Sequence, residues 1–261
     1  MDVFVGVARR EHIAEGGLSV YELHYWPTIQ GRGEFVRLAL EHAGIAYADV
    51  AREDEHQGGG EEALIEALQS KELITPPFAP PWLKAGDLVI GQTANILLFL
   101  GRKHALAPNE ESGMLWTHQL QLTLADFVVE IHDVHHPLGV TQYYEDQRAE
   151  AKRRAEEFRG KRMPKFLNYF ETVLQRNPQG SEYLVGSAMT YADLSAFQVI
   201  DGLRYAFPKR MRTLSPRYPK LIALHERVQA LPRVAAYLIS PRRLGFSKEG
   251  IFRHYGELDG E

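Results

Sequence analysis

Tyr25-Trp26-Pro27 closes a strand-like run, and Gly31-Arg32-Gly33-Glu34 opens the helix that follows. This puts a phenol hydroxyl and a guanidinium near one loop. Either can serve an anionic ligand, and the bland alternatives are a packed strand tyrosine and a solvated surface charge. Further along, TPPFAPPWL at residues 75–83 crowds Pro76, Pro77, Pro80 and Pro81 ahead of another strand. A cis X–Pro bond there would turn the chain abruptly and expose the backbone of the preceding residue. A docking peptide is disfavoured, because Phe78 and Trp82 interleave with the prolines. Gln92-Thr93 precedes a helical run and can be simply an N-cap for Ala94–Lys103, although a helix start also offers unpaired N–H donors and the positive end of the dipole to an anion. The fourth cluster is His132-Asp133-Val134-His135-His136, with two histidines at i and i+4 as in zinc-peptidase helices. Pro137 disfavours helical geometry at His136 and no third ligand is evident, so no metal is expected.

These residues need elements to position them. Val20–Tyr25 is β-branched and aromatic and is stopped by Pro27. Glu34 to His42 carries helical spacing, with Gly44 at the C-terminal glycine position, and Ile45–Val50 predicts a second strand. A charged, glycine-rich loop at Glu53–Gly60 leads to a short helix at Glu61–Gln69. Trp82–Lys84 and Leu88–Ile90 flank the turn Ala85-Gly86-Asp87 as a hairpin, and Ala94–Lys103 closes the segment as a helix. The order β-α-β-α-β-β-α implies a small mixed sheet with helices on its faces.

After Ala107-Pro108-Asn109 strand signals vanish, and helical periodicity runs from Gly113 to Leu238. Leu120, Leu124, Phe127, Val128 and Ile131 share one stripe of the first long helix, while Thr123, Asp126, Glu130 and Asp133 share the opposite one. Glu150–Leu174 reads as a second long helix with kinks at Gly160 and Pro164, and Thr190-Tyr191-Ala192-Asp193 as a capping box opening a buried helix. The expected organisation is an arm at 1–18, an α/β domain at 19–104 and an all-helical domain with a C-terminal tail at 112–261.

Thirty Lys+Arg against 34 Asp+Glu give a net charge of −4, without the basic footprint of a nucleic-acid binder. The N-terminal stretch holds neither a signal-peptide core nor a membrane span, and a cytoplasmic protein is expected. No cysteine is present, so any sulfur chemistry must use a ligand's sulfur.

Taken together, Tyr25-Trp26-Pro27, Gly31-Arg32-Gly33-Glu34, Pro81, the eleven-residue step to Gln92-Thr93 and the late Thr190–Asp193 box resemble the cytosolic glutathione S-transferase family, in its tyrosine-dependent classes, over about residues 20–238. The resemblance implies a thioredoxin-like N-terminal domain followed by a C-terminal helical bundle domain. It implies that Tyr25 is catalytic, its hydroxyl donating to the sulfur of glutathione, the co-substrate. It places Arg32 in support of the loop and the glutathione site, Pro80 and the cis Pro81 beside the cysteinyl unit, and Gln92 with Thr93 at the γ-glutamyl carboxylate. Asp126 would reach across a homodimer interface to the γ-glutamyl ammonium, and Trp26, His132, His136 and Tyr143 would line the second-substrate pocket. The expected reaction is attack of the thiolate on a small apolar electrophile, without metal, nucleic acid or membrane. The alternatives are a non-catalytic glutathione-binding or interaction module, or a glutathione-dependent isomerase, peroxidase or dehalogenase. Two departures stand out: Pro80 has no N–H to pair with glutathione, and no tryptophan precedes the prolines for its glycyl end, leaving Lys71 as a loose candidate.

Overall fold

The structure is a computed structural model that describes residues 20–260; the arm expected at 1–18 lies outside them. The first half contains β1 (Tyr21–His24), α1 (Gly33–Ala43), β2 (Tyr47–Asp49), α2 (Gly60–Gln69), β3 (Trp82–Ala85), β4 (Leu88–Gly91) and α3 (Thr93–Lys103). The strands lie in the order β2-β1-β3-β4, with β1 and β2 parallel through α1 and both β1–β3 and β3–β4 antiparallel. This is the mixed sheet the sequence order requires. β2 is shorter than its apolar run suggests, because the chain leaves the ladder at Val50 and tightens into a 3₁₀ turn over Val50–Arg52. α1 ends at Gly44, whose left-handed φ of 70° lets its N–H reach the carbonyls of Leu40 and Glu41.

The second half is helical: α4 (Glu111–Asp133), α5 (Arg148–Glu157), α6 (Met163–Arg176), α7 (Tyr191–Ala206), α8 (Pro208–Leu214), α9 (Pro219–Gln229), α10 (Pro232–Leu238) and the short α11 (Gly256–Asp259). α5 and α6 derive from the single helical run in the sequence, joined by a π-helical turn at Phe158–Arg162 that contains Gly160, while Pro164 sits in the first turn of α6. α7 is the centre of this half and is buried along most of its length. Its start is fixed by the capping box: the Asp193 carboxylate accepts from the Thr190 N–H at 2.8 Å, the Thr190 hydroxyl at 2.7 Å and the Leu184 N–H at 2.7 Å. The apolar stripe of α4 packs inward, with Leu120, Leu124, Phe127 and Ile131 all buried, and joins the sheet and α7 in one continuous core.

Candidate active site

Strand register builds the site. His24 pairs with Trp82, and Trp82 in turn with Gly91, at one end of the sheet. The next residues along, Tyr25, Pro81 and Gln92, therefore emerge side by side from three neighbouring strands. At about 4.8 Å between strands this row spans about 10 Å, the reach of an extended tripeptide. The Pro80–Pro81 bond is cis.

Tyr25 is buried at the end of β1 and folds under the turn that opens α1. Its hydroxyl oxygen accepts the Arg32 N–H at 2.8 Å. Gly31 has a φ of +44°, and a Cβ on it would strike the Tyr25 hydroxyl; a Cβ on Gly33 would lie 2.5 Å from the ring's Cδ1. Both glycines are thus required by close approach to this ring. Burial pushes the hydroxyl above its ordinary pKa, against the opposing pull of the Arg32 and Gly33 N–H groups and the Arg32 and Arg37 charges. The phenol is therefore protonated at neutral pH. Its oxygen receives a hydrogen bond, and its own proton is donated to no acceptor among the described residues. The half-buried Arg32 side chain forms no ion pair among the described residues.

Gln92 stands at the N-cap of α3 with φ 68° and ψ 120°, a strained conformation for a residue with a side chain. Such strain costs about 1–3 kcal/mol and persists where the surroundings impose it, commonly at ligand sites. Thr93 is the first helical residue, and its Oγ1 is buried with no hydrogen-bond partner among the described residues. The helix start thus combines an orphan hydroxyl with free backbone donors.

The remaining sequence candidates separate. Asp126 is exposed on the outer face of α4 and forms no ion pair among the described residues, whereas its neighbour Glu130 is neutralised by Arg162 and Arg154. Trp26 packs against the small cluster of Ala51, Leu64 and Trp82. His132 lies at the end of α4, near enough to Arg32 for the guanidinium to lower its pKa, although burial and His136 matter more. His136 is buried just beyond, its Nδ1 3.1 Å from the Gln147 amide nitrogen, and Tyr143 is largely exposed. His136 and Tyr143 share a cavity of about 930 Å³ with Arg148, Arg253 and Tyr255, which neither Trp26 nor His132 lines. Lys71 is exposed after α2. His135 is buried against the other two histidines, a grouping of three imidazoles that the i, i+4 spacing does not indicate.

The support behind Tyr25 was also hidden in the sequence. Arg37 is fully buried, with Nε 2.7 Å from Asp49 Oδ2 and its guanidinium 5.7 Å from the Tyr25 ring centre. Gln30, in the loop between them, accepts from Gln198 of α7 at 2.7 Å and donates to the Leu244 carbonyl at 2.5 Å. Arg243 donates to Glu34 at 2.6 Å, to Gln198 at 3.0 Å and to Asp201 at 3.0 Å, while the Tyr237 hydroxyl donates to Glu34 at 2.7 Å. A strand of tail thereby ties the Tyr25 loop to the helical half. The only sequence signal was a cluster of arginines after Pro241.

The family profile "Glutathione S-transferase, C-terminal domain" matches residues 132–241. Glutathione S-transferase P 1 of Xenopus laevis is 31% identical over 230 residues, covering 85% of this chain and 93% of that protein. A glutathione S-transferase of Plasmodium falciparum is 26% identical over 220 residues, covering 82% and 93%. Among solved structures, a prostaglandin synthase D of Nilaparvata lugens superposes with a TM-score of 0.66 at 20% identity, covering 87% of this chain and all of that one, a likeness of fold. That fold is a thioredoxin-like domain followed by a helical one, and with the extent of the Xenopus match it leads to one conclusion: the chain belongs to the glutathione S-transferase family.

Proposed function

We propose that Tyr25 activates glutathione for attack on a small apolar electrophile. The observation that carries this reading is the Tyr25 hydroxyl, which is protonated, accepts from Arg32, and has an undonated proton at the sheet edge. A glutathione laid along that edge places its γ-glutamyl carboxylate at Gln92 and Thr93, its cysteinyl unit at Pro80 and Pro81, and its sulfur at Tyr25. A hydrogen bond from the phenol favours the thiolate. The thiol proton leaves to solvent, the sulfur forms a bond to the electrophilic carbon, and the leaving group departs with its electron pair. Arg32, unpaired among the described residues, adds a positive charge near the same loop.

The same reading takes the protein as a cytoplasmic homodimer. Among the described residues no helix is long and apolar enough to cross a membrane. Leu115, Leu122 and Val129 recur every seven residues on the outer face of α4 and are exposed, as is Phe78 between the prolines. Exposed apolar side chains aligned in this way mark a protein interface. Asp126 lies on that face and would reach the γ-glutamyl ammonium of the partner's site.

One feature favours a binding module instead: Pro80 offers glutathione a carbonyl but no N–H, which weakens the hold on the cysteinyl backbone. Calorimetry with glutathione and turnover of a generic aryl halide separate the readings. Binding with turnover supports the transferase, and binding without turnover the module. Absence of binding at millimolar glutathione overturns both.

A further inference from the structure

At the end of α4, His132, His135 and His136 each present a ring nitrogen within 4.8 Å of the others. Their ring centres are 4.9–5.2 Å apart. The hydrogen bonds around the cluster divide the two nitrogens of each ring. His135 Nε2 lies 2.8 Å from the Ile251 carbonyl, which only an N–H can satisfy, so its Nδ1 bears the lone pair; that Nδ1 is buried and has no partner among the described residues. His132 Nδ1 faces the Asp133 carboxylate at 3.5 Å, which leaves Nε2 free. His136 Nδ1 lies 3.1 Å from the Gln147 amide nitrogen, whose two N–H groups have their own acceptors in the Gly139 and Gln142 carbonyls at 3.1 and 3.2 Å, so the ring's lone pair is not committed to Gln147. His132 and His135 are oriented as metal-ligating histidines are, the distal N–H facing a carboxylate in one and a carbonyl in the other. An orphan nitrogen on a buried ring costs free energy unless something occupies it.

We propose that His132, His135 and His136 form a three-imidazole site for a late first-row divalent cation such as Zn²⁺, with the fourth position taken by water. Imidazole donors select Zn, Cu, Ni and Fe over Mg and Ca. A tetrahedral ion with bonds of about 2.0–2.1 Å holds its nitrogens about 3.4 Å apart, so small ring rotations draw the three together around it. Half-buried His132 is the edge through which an ion enters, while His135 and His136 form the buried floor. None of this depends on glutathione chemistry.

Co²⁺ titration of untagged, chelator-treated full-length protein tests the site, read by visible d–d absorbance and by calorimetry. The expected result is one Co²⁺ per chain with tetrahedral band intensity, displaced by Zn²⁺. His132→Ala removes a ligand from the accessible edge and should weaken binding at least about 100-fold, beyond the 10–100-fold cost of losing an outer-shell partner. His56→Ala, on an exposed turn, should bind as the wild type does. Melting temperatures without metal control for folding, and if His132→Ala unfolds, His132→Asn replaces it. No saturable binding by the wild type, or equal affinity in a folded His132 variant, overturns the proposal. Either result leaves glutathione binding and turnover to be judged separately.

Discussion

Tyr25→Phe removes one oxygen and keeps the ring that Gly31 and Gly33 enclose. If the phenol donates to a bound thiolate, the lost bond is charge-assisted and worth about 1.5–3 kcal/mol. At 1.36 kcal/mol per pKa unit the bound thiol rises by about 1–2 units, toward the free-thiol value of about 8.5. The direction follows from the charge: the donor favours the ionised form, so its loss matters most below the wild-type thiol pKa and vanishes above that of the variant. kcat/KM with an aryl halide should therefore fall about 10–100-fold at pH 6.5, with the gap closing above about pH 9. Burial keeps the phenol protonated across the same range, so its own ionisation does not mimic the effect. The substitution also strips the Arg32 N–H of its acceptor, at a cost of about 1–3 kcal/mol in stability. That cost lowers the melting temperature without moving the pH profile. Profiles of wild type and variant that superimpose after scaling would refute the role of the hydroxyl.

Gly33→Ala drives a methyl into the Tyr25 ring, so activity at pH 6.5 should fall toward that of Tyr25→Phe; the double variant, compared by the same turnover assay, should lose little more, since both changes act through one hydroxyl. Arg243→Ala leaves the buried Glu34 with only Tyr237 and the more distant Arg37, and urea unfolding should show a loss of about 3 kcal/mol, at the low end for a broken buried pair. Leu122→Arg places a charge in the exposed apolar stripe of α4, and if that stripe is the interface of the proposed homodimer, light scattering should register a smaller species for the variant than for the wild type.

Local signals carried much of the fold. The hairpin, the capping box at Thr190 and the break inside the α5–α6 run depend on residues within a few positions of one another, so strand propensity, turn glycines and cap chemistry sufficed to place them. Tyr25, Pro81 and Gln92 were singled out in the sequence through the family resemblance, while their placement in one row follows from the strand register, which no local signal carries. What could not be read was long-range. Arg243 meets Glu34 across 209 residues, and His135 meets the Ile251 carbonyl across 116. Neither partner carries a local mark. His135 was in view in the sequence but was not read beside His132 and His136, because a turn after α4, rather than the helix itself, swings it inward, and Pro137 made the segment read as a mere helix end.

One guanidinium touches both halves of the molecule: Arg243 bonds Glu34 of α1 and Asp201 of α7. Swinging the halves apart would strand Glu34, fully buried on the α1 side, without its nearest cation. Hinge opening is therefore a poor route for admitting a substrate, and entry falls to the loops around the sheet edge and the end of α4. A chain cut after Leu238 would keep every strand and every long helix among the described residues yet lose this rivet. Its calorimetric melt should broaden or split where the full chain unfolds in one step, which makes the last twenty-odd residues part of the protein's cooperativity.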